Sequence, residues 1–77
     1  MRLTKIENDK MLQCTEILEG AYLSARNSGH DSDDAMKAMK AKAFDIVPDM
    51  VHLFGDRAYS VVWCCMQEGL WDMGIVE

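Results

Sequence analysis

From Ala58 to Met73 the chain is apolar around most of the circumference of a helix, with six unbroken apolar residues from Val61 to Met66. An ordinary surface helix needs an apolar stripe only about 100° wide, so this segment has to be covered on two sides. Val61, Val62 and Trp63 also favour strands, but no partner strand is visible elsewhere, and the segment reads as helix. On a 3.6-residue repeat Ala58, Val61, Val62, Cys65 and Met66 fill one face, and Tyr59, Trp63, Met66, Leu70 and Met73 carry the apolar surface onto the next.

The residues before it give helix signals almost throughout. Met11, Cys14, Leu18, Ala21 and Ala25 recur at steps of three and four, with Leu3, Ile6 and Ile17 beside them, which predicts a helix over 4–27. Gly20 lies in a run of small residues with Ala21, Ser24 and Ala25, where the helix is expected to kink or admit another backbone. Asn27, Ser28 and Gly29 supply a stop.

Asp31 or Ser32 then caps a second helix, with Asp33 and Asp34 at its positive end and Asp33 four residues before Lys37. Its buried stripe is expected at Met36, Met39, Ala43 and Val47. Pro48 disfavours helical geometry at Val47 and suits a first helical turn, so this helix is placed at 32–47 and a short one at 48–54, closed by Gly55. Asp56 is the expected cap of the last helix, 57–73, which Gly69 interrupts or which Gly74 and Ile75 close.

These segments predict one all-α domain over 1–77, a small bundle of three main helices plus one short helix. A chain of 77 residues builds a small core, and oligomerisation is a common remedy. The excess apolar face therefore predicts a twofold homodimer. Its interface, or that with another protein, is assigned to Tyr59, Trp63, Met66, Leu70, Trp71 and Met73, while Ala58, Val62 and Cys65 hold the domain together. Seven methionines and two tryptophans fit such a surface, because both residue types are enriched at interfaces.

Three cysteines, two of them adjacent, make no disulfide framework, and Met1 to Asp9 have no apolar run of signal or spanning length. A reducing, cytoplasmic location is expected. The net charge is −5, and the excess lies after residue 30, where Asp31, Asp33, Asp34, Asp45 and Asp49 form an acidic rim. No basic stripe exists to neutralise phosphates or anionic lipid, so neither direct nucleic-acid binding nor membrane attachment is expected.

Candidate chemistry fails on spacing. Cys64 and Cys65 point about 100° apart on a helix and form no Cys-x-x-Cys with Cys14, His30 or His52, so no metal site is assigned. Burial in an apolar stretch would raise their thiol pKa values and blunt reactivity. His30 beside Asp31, with Ser24, Ser28 and Ser32 nearby, has triad ingredients but little room for a pocket. Asp31, Asp33 and Asp34 lack the mid-loop glycine and terminal glutamate of a calcium loop, and the five glycines are too scattered for a phosphate loop. A helix-turn-helix over 35–68 would present Trp63, Cys64 and Met66 with no arginine after Arg57.

No catalytic, cofactor-binding or metal-binding residue is therefore assigned, and no cofactor. The expected function is that of a non-catalytic interaction module, an adaptor or inhibitor of a larger protein. Small acidic helical inhibitors carried by phages and mobile elements, acting on host defence or transcription machinery, offer an analogy in size and charge alone. Two alternatives are a nucleic-acid mimic that occupies a basic groove, for which thirteen acidic against eight basic residues is a modest excess, and a small metal- or thiol-dependent sensor.

Overall fold

The computed structural model describes residues 3 to 75. The first helix, α1 (Lys5–Asn27), starts where Thr4 stops being helical, and the two ends of a capping box meet there. The Glu7 amide donates to Thr4 Oγ1 at 3.1 Å, and the Thr4 amide donates to Glu7 Oε1 at 3.0 Å. Those bonds, with Arg57 nearby, hold the Glu7 carboxyl below the usual carboxylate range. The helix closes at Gly29, whose φ of 95° lets the His30 amide reach back to the Ala25 carbonyl at 3.1 Å. Gly20 neither breaks α1 nor admits a neighbour, since a Cβ built on it meets nothing within 4 Å.

Asp31 caps α2 (Ser32–Phe54) by accepting the Asp34 amide at 2.9 Å. The expected break at Pro48 does not occur. Segments 32–47 and 48–54 are one continuous helix with Pro48 inside it. Pro48 is solvent-exposed, while Ala43, Ile46, Met50 and Phe54 on either side of it are buried. Burial of that stripe outweighs a proline cost of about 3 kcal/mol.

The chain reverses at Gly55, whose φ of 59° and ψ of −133° suit glycine, and passes through a 3-10 turn, Gly55–Arg57, into α3 (Ala58–Asp72). Asp56 is not the cap of α3. The residue at the cap position is Arg57, in helical geometry, and the Ala58 amide bonds the Gly55 carbonyl, so the preceding turn does the work of a capping side chain. Gly69 does not interrupt α3, and Gly74, at φ 73°, ends it with the Ile75 amide donating to the Leu70 carbonyl at 2.9 Å.

Each helix packs against the other two. Met39 comes against Gly69 while Phe44 meets Tyr59 and Trp63, so α3 runs back antiparallel along α2. The core is Cys14, Leu18 and Tyr22 from α1, Ala35, Met39, Ala43, Ile46, Met50 and Phe54 from α2, and Ala58, Val62, Cys65, Met66 and Leu70 from α3. The stripes are rotated from those expected. Met11, Ala25, Met36 and Val47 pack at the edge of the core, and Leu3, Ile6 and Ile17 are exposed. Gly69 is packed closely by both other helices: a Cβ there would stand 3.0 Å from Glu19 Cγ and 3.3 Å from Met39 Cε.

Candidate interaction surface

The surface that stands out is aromatic and lies along the α2–α3 seam. Tyr59 and Trp63 are one helical turn apart, and their rings stack at 5.2 Å with 12° between planes. Phe44 leans across from α2 with centroid distances of 6.1 Å to Tyr59 and 5.6 Å to Trp63, tilted at 50° and 56°. Ring pairs at such distances contribute about 0.5–1.5 kcal/mol each beyond their burial. Even so, Phe44 is 55% and Tyr59 50% exposed, and Trp63 is half-buried. On a 100° repeat Lys37, Lys40 and the exposed Val51 lie within about 40° of Phe44, so α2 flanks the rings with two cations and one aliphatic residue.

The residues assigned to the interface therefore divide. Tyr59 and Trp63 belong to the cluster, and Trp71, 62% exposed, lies about 80° further round α3. Met66 and Leu70 are 4% and 3% exposed, belong to the core and present no surface; Met73 is half-buried against it. The second apolar face of α3 is thus covered in part by α1 and α2 of the same chain. Phe44 is the residue that sequence reasoning passed over. It falls one place beyond the buried Ala43, so its position off the core stripe was the available signal.

The acidic rim does not frame this face. All five aspartates are exposed, but Asp45 and Asp49 lie about 100° and 140° round α2 from Phe44, and Asp31, Asp33 and Asp34 form the first turn of α2 or its cap. The excess acid has one local consequence on the other side of the bundle. The Glu19 carboxyl is pushed up, first by burial over Gly69, then by Asp72 and Glu16. A carboxylate raised in the folded state stabilises below its unfolded pKa and loses that contribution as pH rises through the folded value. Glu19→Gln keeps the packed methylenes and is expected to raise the melting temperature at neutral pH by about 2 °C, with no gain in acid. A thermal melt at two pH values decides it, and an equal shift at both would contradict the electrostatic cause.

The other candidate groups are dispersed. Asp31 is occupied as a helix cap, and the Ser32 hydroxyl is hydrogen-bonded to the Tyr22 hydroxyl at 3.0 Å. His30 shares a shallow groove of about 450 Å³ with Ser24, Ser28 and Asp34. Among the described residues no three His, Cys, Asp or Glu side chains are grouped to hold a metal ion, and no helix is long and apolar enough to cross a membrane. Cys64 is exposed, against the expectation that both neighbouring thiols are buried; Cys65 is buried. The Cys65 thiol is also lowered to about 7, not raised, chiefly by the neighbouring Cys14 side chain and against its burial, and its Sγ donates to the Met11 carbonyl at 3.5 Å. Cys14 is pushed up by the neighbouring Cys65 side chain and by burial.

Fold and surface together define a small all-helical domain with an exposed three-ring aromatic face. No protein-family model, curated protein or solved structure matches the chain.

Proposed function

We propose that the chain is a non-catalytic protein-interaction module, an adaptor or inhibitor, that binds through the Phe44–Tyr59–Trp63 face. The observation that carries this reading is that three mutually packed rings lie at the surface with two of them about half exposed. Rigid aromatic side chains already held by their neighbours lose little freedom on binding, which is why such clusters are common energetic centres of interfaces. Lys37 and Lys40 beside the rings favour an apolar partner surface with an acidic margin.

The test is the double variant Phe44→Ser, Tyr59→Ser, whose side chains lie outside the core cluster. Tagged wild-type chain is expected to retain a partner in a native-cell pull-down that persists at high salt and is lost from the variant, with circular dichroism unchanged. Retention by both chains would reject the assigned face. A second copy is the simplest partner. Light scattering at micromolar concentration is then expected to give twice the chain mass for wild type and the chain mass for the variant. A partner released by salt from both proteins would instead favour the acidic residues and nucleic-acid mimicry.

A further inference from the structure

On α3, Ser60, Cys64, Gln67 and Trp71 are all exposed and recur at steps of four, three and four, so they form one stripe on the side away from the buried Val62 and Cys65. On a 100° repeat Trp63 lies about 40° to one side of Gln67, towards α2, and Glu68 about 40° to the other side of Cys64, towards α1. The two flanks carry opposite charge. On the α2 side the ring cluster is joined by Lys37 and Lys40. On the α1 side a groove of about 260 Å³ opens between the helices, lined by Met11 and the 57% exposed Leu12 of α1 and by Glu68 and Asp72 of α3. Glu16 and Glu19 continue that acidity along α1, since the Glu19 carboxyl is pushed up first by burial and then by the charges of Asp72 and Glu16. Among the described residues no ion pair reaches Lys37, Lys40, Glu68 or Asp72. The opposite charges also stand level. Met39 packs against Gly69 and the two helices are antiparallel, so Lys40 lies at the height of Glu68, and Lys37, one turn earlier, at that of Asp72.

We propose that the partner of the ring face is a second copy of this chain, docked stripe to stripe with the two α3 helices parallel, so that the rings and lysines of each copy face the acidic α1–α3 groove of the other. This rests on the reading of the ring cluster as an interface. Symmetry and charge select the orientation. A twofold axis in the interface and parallel to α3 sets the α2 flank of one copy opposite the α1 flank of the other at the same height. An axis running across α3 sets like flanks together, lysine against lysine and carboxylate against carboxylate. The parallel arrangement places Lys40 opposite the partner's Glu68 and Lys37 opposite the partner's Asp72, and the axis repeats both pairs. Leu12 and Met11 between those carboxylates give the rings an apolar surface with an acidic margin. Trp71, 62% exposed in the single chain, meets its own copy across the axis.

The experiment follows dimer dissociation by light scattering over a dilution series at low salt. Lys40→Glu and Glu68→Lys are each expected to weaken the dimer on the order of tenfold, because each sets like charges together twice. The double variant Lys40→Glu, Glu68→Lys is expected to recover most of that loss, with circular dichroism unchanged throughout. Orientation is read separately in a Cys64→Ser background, where Ser60→Cys and Gln67→Cys, made one at a time, are each expected to give an interchain disulfide on mild oxidation. In a parallel pair every stripe residue meets its own copy, whereas two positions about 10 Å apart along a helix cannot both do so in an antiparallel one. A wild-type chain that stays monomeric, a double variant no tighter than the single ones, or a disulfide at fewer than both positions would overturn the proposal. A dimer lost in Phe44→Ser, Tyr59→Ser yet indifferent to both charge reversals removes this arrangement and leaves the ring face standing. One that survives the ring variant removes both.

Discussion

Leu18→Ala is expected to destabilise the fold by about 3 kcal/mol, a fall in melting temperature of roughly 15 °C. Leu18 is completely buried at the middle of the α1 stripe, between Cys14 and Tyr22. Its removal empties volume that three helices share, and each is held by the other two, so no single helix can move in to fill the gap. Total stability for a domain of this size is only about 5–10 kcal/mol, so the variant sits close to unfolding at physiological temperature. Urea denaturation at neutral pH measures the loss. A change below about 1 kcal/mol would mean that the α1–α3 packing is soft, and the same variant of Leu12, which is 57% exposed, supplies the contrast with little expected effect.

Pro48→Ala is expected to act in the opposite direction, stabilising the chain by about 2 kcal/mol. Inside α2 the proline has no amide proton for the Phe44 carbonyl, and its ring crowds that same carbonyl. Its side chain is exposed, so alanine gives up little packing while restoring a hydrogen bond. Part of the gain is offset because proline also restricts the unfolded chain. A melting temperature higher by about 10 °C, together with a larger helical circular dichroism signal, is the expected result. A loss of stability would show instead that the irregularity at Pro48 is what lets Phe44 lean on Tyr59 and Trp63 while Phe54 enters the core.

Some of this architecture can be read directly from the residues because it is local. Asp31 with its acidic first turn, and Gly29 and Gly74, each satisfy backbone groups within one helical turn, and all three act where the sequence places them, whereas Thr4, read as the first residue of its helix, is the cap that Glu7 answers. The helical class follows from the same short-range patterns. Signals that compete with packing were misleading. Pro48 is a strong local stop, yet α2 continues because residues on both sides of it are anchored in the core, and Asp56 is displaced as a cap by a 3-10 turn that leads straight into α3.

Glycine roles show the same division. Gly20 and Gly69 look alike in sequence, each a lone glycine in a helix, but only Gly69 has neighbours, Glu19 and Met39, packed against it. The candidate surface depended most on tertiary structure. An apolar excess after Ala58 was evident from the chain alone, and it includes Tyr59 and Trp63. What the residues could not specify is the direction from which α1 and α2 approach, and that direction buries Met66 and Leu70 while bringing Phe44 onto the same face. It also brings Cys65 of α3 against the Met11 carbonyl of α1. Helical periodicity thus determines which side chains share a face, because that is a property of 3.6 residues per turn. Which face is covered, and which rings meet, is decided by helix-to-helix docking, which depends on contacts between residues far apart in the chain.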